Sequence, residues 1–530
     1  MEKPGGPIVE TLPPRGTLLL LALAAGLLLF RLGAVPLLGP DEPRYVRVAV
    51  EMHRAGELVT PTLQERPWLE KPPLYYWLAG VAFSFLGETE TAARLPAVLA
   101  ALVLVGATAL VGARLYGAAA GLHAGFILAT SLGVFAYGRA ATMDMLVASA
   151  ITVGLGLFAL GLLRIAGVLA IPAAYAMFGV ATLAKGPIGF LLPGLVVFGY
   201  VVATRDWAAF RRAISPAGIV LFLVVAGPWY ALIYADQGRA FVDTFLLNHN
   251  VERFTSTIHN HPGSVLYYLP VLLIGLFPWS GLGLPALATL RLRASRADLF
   301  VLLWLVLPLA FFSAAGSKLP GYVIPCLPPL ALLMGRAASR IVTGDAFELP
   351  PWAGPRALGI VGLVLGTLVA MTPILLVQQG EPAWRLTVPL GVWSLVTAFM
   401  ASRVWSTSPA GAPAILRVAG AGFLLLLTAA APEVLARRQS GRELFLPAHG
   451  RDVLVWNAWR TAWMAGYFYN DGRVREVSGL EEIQVAVASG SALVLCGAAE
   501  RRSLEGIPSF ETIALAEGPR QTTLLRVTAR

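Results

Sequence analysis

Residues 16–50 read GTLLLLALAAGLLLFRLGAVPLLGPDEPRYVRVAV, and this stretch decides the fold. The apolar run from Gly16 to Leu32 has no small-residue cleavage site after it, so it reads as a retained membrane helix rather than a removed signal peptide. It leads directly into Asp41, Glu42, Arg44 and Tyr45, and the segment continues to RPWLEKPPLYYW at 66–77, with Glu70 and Lys71. Charge at the edge of a bilayer is costly and is usually kept for function. Residues 35–77 therefore read as one wall of an active site, and the remaining chain as the frame that holds it.

Outward from there the chain stays apolar. Of its 530 residues, 57% are hydrophobic and 13% charged, with mean hydropathy +0.71; a soluble domain is about a quarter charged. A crossing takes roughly 20 mostly apolar residues, which predicts a polytopic α-helical membrane protein of about 13 spans. They fall near 16–34, 92–113, 118–136, 144–163, 166–183, 187–203, 214–234, 265–287, 298–315, 320–339, 356–378, 386–402 and 414–432. Leu74–Leu86 is too short to span comfortably, and its Tyr75-Tyr76-Trp77 start suits an interfacial helix in the first outer loop. The formal net charge of +10 is scattered over interhelical loops, a pattern for anionic lipid headgroups and not for nucleic acid. Cys326 and Cys496 lie far apart, so neither a disulfide nor a four-cysteine metal site is expected.

Loop charge sets the orientation. The Arg-rich loops TRDWAAFRR (204–212), RLRASRAD (291–298) and GRAASR (335–340) read as cytoplasmic. With the N-terminus inside, the polar segments 35–91, 137–143, Lys185, 236–264, 316–322 and the C-terminal tail all fall on the outer face, as one extracytoplasmic site requires. The membrane domain takes residues 1–435. Residues 436–530 read as a small soluble α/β domain, with strands at Asp452–Trp456, Val474–Val477, Ser491–Cys496, Phe510–Leu515 and Thr522–Val527 and helices at Thr461–Tyr469 and Glu481–Ser489. No glycine-rich phosphate loop occurs in it.

The adjacent carboxylates of Asp41 and Glu42 point in different directions, so one can face a substrate while the other bonds to backbone or metal. A partly desolvated acid at the bilayer edge suits a general base toward a sugar hydroxyl; the competing role is a cap on the helix that follows. Arg44, Tyr45 and Lys71 are candidate phosphate contacts, against snorkelling to lipid headgroups. Glu70 is either a metal ligand or an ion-pair partner of Lys71. His249, His259 and His261 share one loop and, with Glu70 or Glu42, make a candidate divalent-metal site; a solvated polar loop is the alternative. Asp144 opens a helix, as a cap or as a polar group of the site. Lys318 and Tyr322 in GSKLPGY are a donor pair for an anionic headgroup.

Taken in order, PLLGPDEPRY, RPWLEKPPLYYW, TMDML, NVERF with its His-containing loop and YYLPVLLIGLFPW, and SKLPGYVIPCLPPLALL resemble the bacterial integral-membrane GT-C glycosyltransferases. The similarity is to the aminoarabinose transferase (ArnT-like) branch of the protein O-mannosyltransferase superfamily and covers residues 16–340. It implies transfer of a sugar, with inversion, from a polyprenyl-phosphate donor such as undecaprenyl phosphate to a lipid or cell-envelope acceptor such as lipid A. It also implies a monomer in the bacterial inner membrane with its site on the periplasmic face. Carried onto this chain, the resemblance makes Asp41 the general base and Asp144 a second catalytic acid. Arg44, Tyr45, Lys71, Lys318 and Tyr322 become contacts to the donor phosphate, and Glu70 with His261 or His259 the holder of a divalent metal, zinc or magnesium. The alternatives are a protein O-mannosyltransferase-like enzyme and a non-enzymatic flippase or transporter of lipid-linked sugars. A transporter should carry charge at the bilayer midplane, whereas here the charge gathers at one face.

Overall fold

An apolar chain without water around its backbone must close its hydrogen bonds within helices. The structure, a computed structural model, describes residues 11–245, 263–290, 295–344, 360, 364, 367–368, 384–448 and 450–530. The first half runs α1 (Pro14–Leu29), α2 (Asp41–Ala55), α3 (Leu74–Leu86), α4 (Glu90–Tyr116), α5 (Ala118–Ala129), α6 (Leu132–Gly138), α7 (Asp144–Leu162), α8 (Ala170–Lys185), α9 (Ile188–Thr204), α10 (Trp207–Ala213) and α11 (Pro216–Phe241). Further long helices cover Arg296–Ala314, Leu327–Thr343, Trp384–Thr407 and Ala412–Gln439. Among the described residues 7 helices are long and apolar enough to cross a bilayer, or up to 9 if each of 2 bent pairs counts as one span.

Those bent pairs correct two expected spans. The segment 118–136 breaks by 59° between α5 and α6, and 265–287 bends by 111° between Val265–Gly275 and Trp279–Leu290. At the first break the hydroxyls of Thr130 and Ser131 donate to the carbonyls of Phe126 and Leu128, in competition with the helical ladder. At the second, Pro278 offers no N–H to continue the helix. The span expected near 356–378 lies mostly outside the described residues. Small side chains let the remaining helices close up: a Cβ on Gly121 of α5 would stand 2.3 Å from the carbonyl oxygen of Ala109 in α4.

The bundle has two chemically distinct ends. At one, Asp206 accepts from the N–H of Ala209 (2.9 Å) and from Arg296 (3.0 Å), while Asp298 forms a capping box with Ser295 and pairs with Arg336. At the other gather α2, the turn 139–143, Lys185 and residues 317–322. The hairpin of β1 (Thr62–Leu63) and β2 (Arg66–Pro67) lies against α2, where Glu51 accepts from Arg47, Thr62 and the N–H groups of Gln64 and Glu65. The C-terminal domain docks at this same end. Its β3 (Val453–Trp456), β4 (Val474–Glu476), β5 (Ser491–Cys496), β6 (Phe510–Gly518) and β7 (Thr522–Ala529) form a sheet of order β4-β3-β5-β7-β6. Strand β3 is parallel to β4 and β5, and the β7 pairings are antiparallel. The helix Ala412–Gln439 runs past residue 435, so the sheet domain begins after it. Both cysteines are buried and free.

Candidate active site

Helix α2 starts at Asp41 itself, with Pro43 in a first-turn position where a missing N–H costs nothing. The residue before it is Pro40, and no side chain caps the helix. Helix α7 likewise starts at Asp144 after Met143, again without a side-chain cap. The capping role weighed for both acids is therefore not the one they play. Both open onto a cavity of about 560 Å³, lined also by Tyr45, Lys71, Tyr137, Thr142, Lys185, Ser317 and Tyr322, with an apolar wall that includes Val147, Ile151, Leu191, Leu192 and Phe311.

Within it Asp41 is exposed and accepts from Arg44 at 2.6 Å, one helical turn on. The Arg44 guanidinium stacks near Tyr45 (5.4 Å) and Trp68 (5.0 Å), and its buried Nε has no partner among the described residues. Burial opposes its charge, but Tyr45, Asp41 and Glu70 together raise its pKa. Burial, with Asp41 adding to it, lifts the Tyr45 pKa above its usual 10.0, so this side chain stays a neutral donor. Asp144 is paired with Lys185, whose ammonium also lies 5.2 Å from the Tyr322 ring centre. A Cβ on Gly321 would meet the Asp144 carboxylate at 2.9 Å, which is why glycine precedes Tyr322 here.

Glu42 has the opposite fate from its neighbour. It is 5% exposed and accepts from Arg94 (2.8 and 3.1 Å) and from the N–H groups of Leu38 (2.6 Å) and Ala141 (2.7 Å). Arg94, 2% exposed, also donates to the carbonyls of Leu32, Val35 and Pro36. This buried pair ties the end of the first loop, α2, α4 and the turn before α7 into one unit, and so fixes both cavity acids.

Comparison with known proteins agrees with this architecture. The model of the dolichyl-phosphate-mannose-protein mannosyltransferase family matches residues 70–231. The undecaprenyl phosphate-alpha-4-amino-4-deoxy-L-arabinose arabinosyl transferase of Edwardsiella ictaluri is 30% identical over 424 residues, covering 76% of this chain and 74% of that protein. Its namesake from Yersinia pestis is 30% identical over 393 residues, covering 69% and 68%. The chain belongs to this arabinosyl transferase family. It is a membrane glycosyltransferase. The crystal structure of ArnT from Cupriavidus metallidurans in the apo state shares its fold, with TM-score 0.79 at 23% identity over 96% of this chain and 97% of that one. The same protein bound to undecaprenyl phosphate gives 0.75 at 24% identity over the same shares.

In this transferase Asp41, Tyr45, Lys71, Asp144 and Tyr322 come together in one cavity, and Arg44 adjoins them through Asp41. Lys318 does not join them. It is buried, and its ammonium donates to the carbonyls of Ser313 (2.9 Å) and Ala315 (2.6 Å), closing the end of the helix Arg296–Ala314. The structure thus gives Lys318 a capping role in place of the phosphate contact expected of it. Lys71 donates to the backbone carbonyl of Glu70 at 3.2 Å. His249, His259 and His261 lie outside the described residues, and among the described residues no three His, Cys, Asp or Glu converge as a metal site. The sequence put Lys185, Thr142 and Ser317 on the outer face with the site but gave them no role in it, and the brace residue Arg94 was missed. Two of them carried a signal: Arg94 in TAARLPAVLA and Lys185 in TLAKGPIG are lone charges at the ends of apolar runs.

Proposed function

We propose that this cavity binds a sugar carried on a polyprenyl phosphate, with undecaprenyl phosphate as the bacterial carrier, and passes the sugar with inversion to a hydroxyl of a lipid or cell-envelope acceptor such as lipid A. The observation that carries this is the placement of the Asp41 carboxylate and the Lys71 ammonium on the wall of one cavity at one end of an apolar bundle. Asp41 takes the proton of the acceptor hydroxyl as its oxygen bonds to the anomeric carbon. The bond from that carbon to the phosphate oxygen breaks on the opposite face, leaving its electron pair on the lipid phosphate. Lys71 and Arg44 balance the growing negative charge. Asp144, Lys185 and Tyr322, with the buried hydroxyls of Thr142 and Ser317 that lack protein partners among the described residues, hold the sugar. A base of this kind contributes about 10²–10⁴-fold in rate.

The divalent ion, zinc or magnesium, belongs to this proposal through Glu70 and either His259 or His261; it would add positive charge beside the phosphate. The described residues assemble no complete ligand set, so every step above rests on side chains of the chain itself. Adding the bent pairs, the shorter apolar helices α1, α8 and α9 and the apolar sequence 356–378 to the long helices, with α3 left interfacial, gives about 13 crossings; with the N-terminus inside, that puts the C-terminal domain, and the cavity end where it docks, on the periplasmic face of the inner membrane.

A protein acceptor is the second reading, favoured by the mannosyltransferase family match over residues 70–231. The test is sugar transfer by the purified transferase in detergent from undecaprenyl-phosphate aminoarabinose or mannose, with lipid A and a hydroxyl-bearing peptide offered in parallel and products read by mass spectrometry. The expected result is one glycosylated lipid product with release of undecaprenyl phosphate. A glycosylated peptide alone moves the assignment to the second reading, and an untouched donor that only changes leaflet in vesicles overturns both.

A further inference from the structure

We propose that the turn 469–474 of the C-terminal domain is a positioning clamp for α2, which sets where Asp41 stands in the cavity; the proposal rests on Asp41 being the base. Helix α2 is not a membrane span. It is a 15-residue segment between two loops, so lipid does not fix its placement. Its polar stripe Asp41, Arg44, Arg47, Glu51 and Arg54 repeats every three or four residues, which puts the acid and the domain-facing cations on one side of the helix.

The turn holds that helix from both ends. Just before Asp41, the N–H of Leu37 donates to the Tyr469 hydroxyl at 2.7 Å, and that hydroxyl donates to Glu90 of α4 at 3.1 Å. The N–H of Gly39 donates to the carbonyl of Gln439 at 3.0 Å, where the chain leaves the bundle for the domain. Beyond Asp41, one carboxylate oxygen of Asp471 accepts from Arg47 (2.5 Å) and Arg54 (2.8 Å). Gln64, in the hairpin packed on α2, donates to the carbonyls of Gly472 (3.0 Å) and Val474 (2.9 Å).

The turn is built to keep its shape. Asp471 and Gly472 are both left-handed, with φ of 52° and 76°. Asn470 donates to the carbonyls of Arg451 (3.0 Å) and Arg473 (2.9 Å). A Cβ at position 472 would crowd the Arg47 guanidinium at 3.2 Å. A rigid turn gripping both flanks of a short helix sets the position of the residue between them, and displacement of a reacting group by about 1 Å can cost 10²-fold in rate.

The experiment measures kcat and donor KM of the full-length transferase for the double variant Tyr469→Phe/Asp471→Asn, for Asp471→Glu and for Asp41→Asn. Arg475→Gln, in the exposed pair with Glu482, serves as the control. The clamp predicts that the double variant loses roughly 10- to 100-fold in kcat, with a smaller rise in donor KM because Arg44 and Tyr45 ride on the same helix. It also predicts that Asp471→Glu keeps most of the wild-type rate and that the control matches wild type. Deuterium uptake should rise in the double variant at 37–46 and stay unchanged in the strands of the C-terminal domain. Wild-type kcat in the double variant, or uptake rising through the whole domain, overturns the clamp. Asp41→Asn separates the two ideas: normal turnover there removes the base itself, whereas lost turnover beside an unaffected double variant removes the clamp alone.

Discussion

The two ends of the helical bundle use the same residue type in opposite ways. At the end with Arg296 and Arg336, aspartates near helix starts serve the backbone: Asp206 caps Ala209, and Asp298 completes a capping box before pairing with Arg336. At the other end Asp41 and Asp144 are the first residues of their helices, cap nothing, and line a cavity. The backbone ties expected of an acid there are made instead by Glu42, which takes two N–H groups and Arg94. An aspartate at a helix start is thus structural or chemical according to whether its oxygens are already committed to N–H donors. Sequence position alone does not decide this.

That contrast can be broken by substitution. The largest effect falls on Asp41→Asn: turnover drops by about 10²–10⁴-fold with little change in melting temperature, since the side chain is 52% exposed and the substituted amide oxygen can still accept from Arg44. Glu42→Gln should act on stability as well as on turnover, because the brace it weakens also holds both cavity acids. It leaves the Arg94 charge buried without its counter-charge, at a cost of about 3–5 kcal/mol, seen as a lowered melting temperature in detergent; an unshifted melting curve would show that the brace holds nothing. Asp206→Ala is expected to lower thermal stability slightly and leave kcat alone, and a loss of kcat there would erase the distinction between the ends.

The smallest effect is a pH effect at the domain contact. Burial works against the charge on Asp471, but hydrogen bonds from Arg47 and Arg54 outweigh it and hold its pKa below the usual 3.8. Its contribution is therefore complete above that value and is lost as pH falls through the lower folded value. Limited proteolysis of the C-terminal domain should accelerate below about pH 4 in the wild type, while Asp471→Asn should be equally susceptible on both sides.

Much of this was legible in the sequence because it rests on composition and periodicity. Long apolar runs foretold the membrane helices, and alternation placed the five strands of the tail within a few residues. DEPRY, EKPP and TMDML supplied Asp41, Lys71 and Asp144, which do meet in one cavity. What stayed hidden depends on long-range contact. Nothing local distinguishes Asp41 from Glu42, because Arg94 and Ala141, which claim Glu42, arrive from distant parts of the chain. Lys318 looked like a phosphate ligand because its pattern does not say that the carbonyls of Ser313 and Ala315 will take its ammonium. The bends at 130–131 and 278 were missed because an apolar window averages over a serine, a threonine or a proline.

The most direct test of the central claim is single-turnover sugar transfer by Asp41→Asn enzyme preloaded with undecaprenyl-phosphate sugar, with bound donor quantified in the same sample. The account predicts full donor occupancy and almost no transferred sugar over the interval in which wild type completes its turnover. Transfer at the wild-type rate from an equally loaded Asp41→Asn enzyme would contradict it.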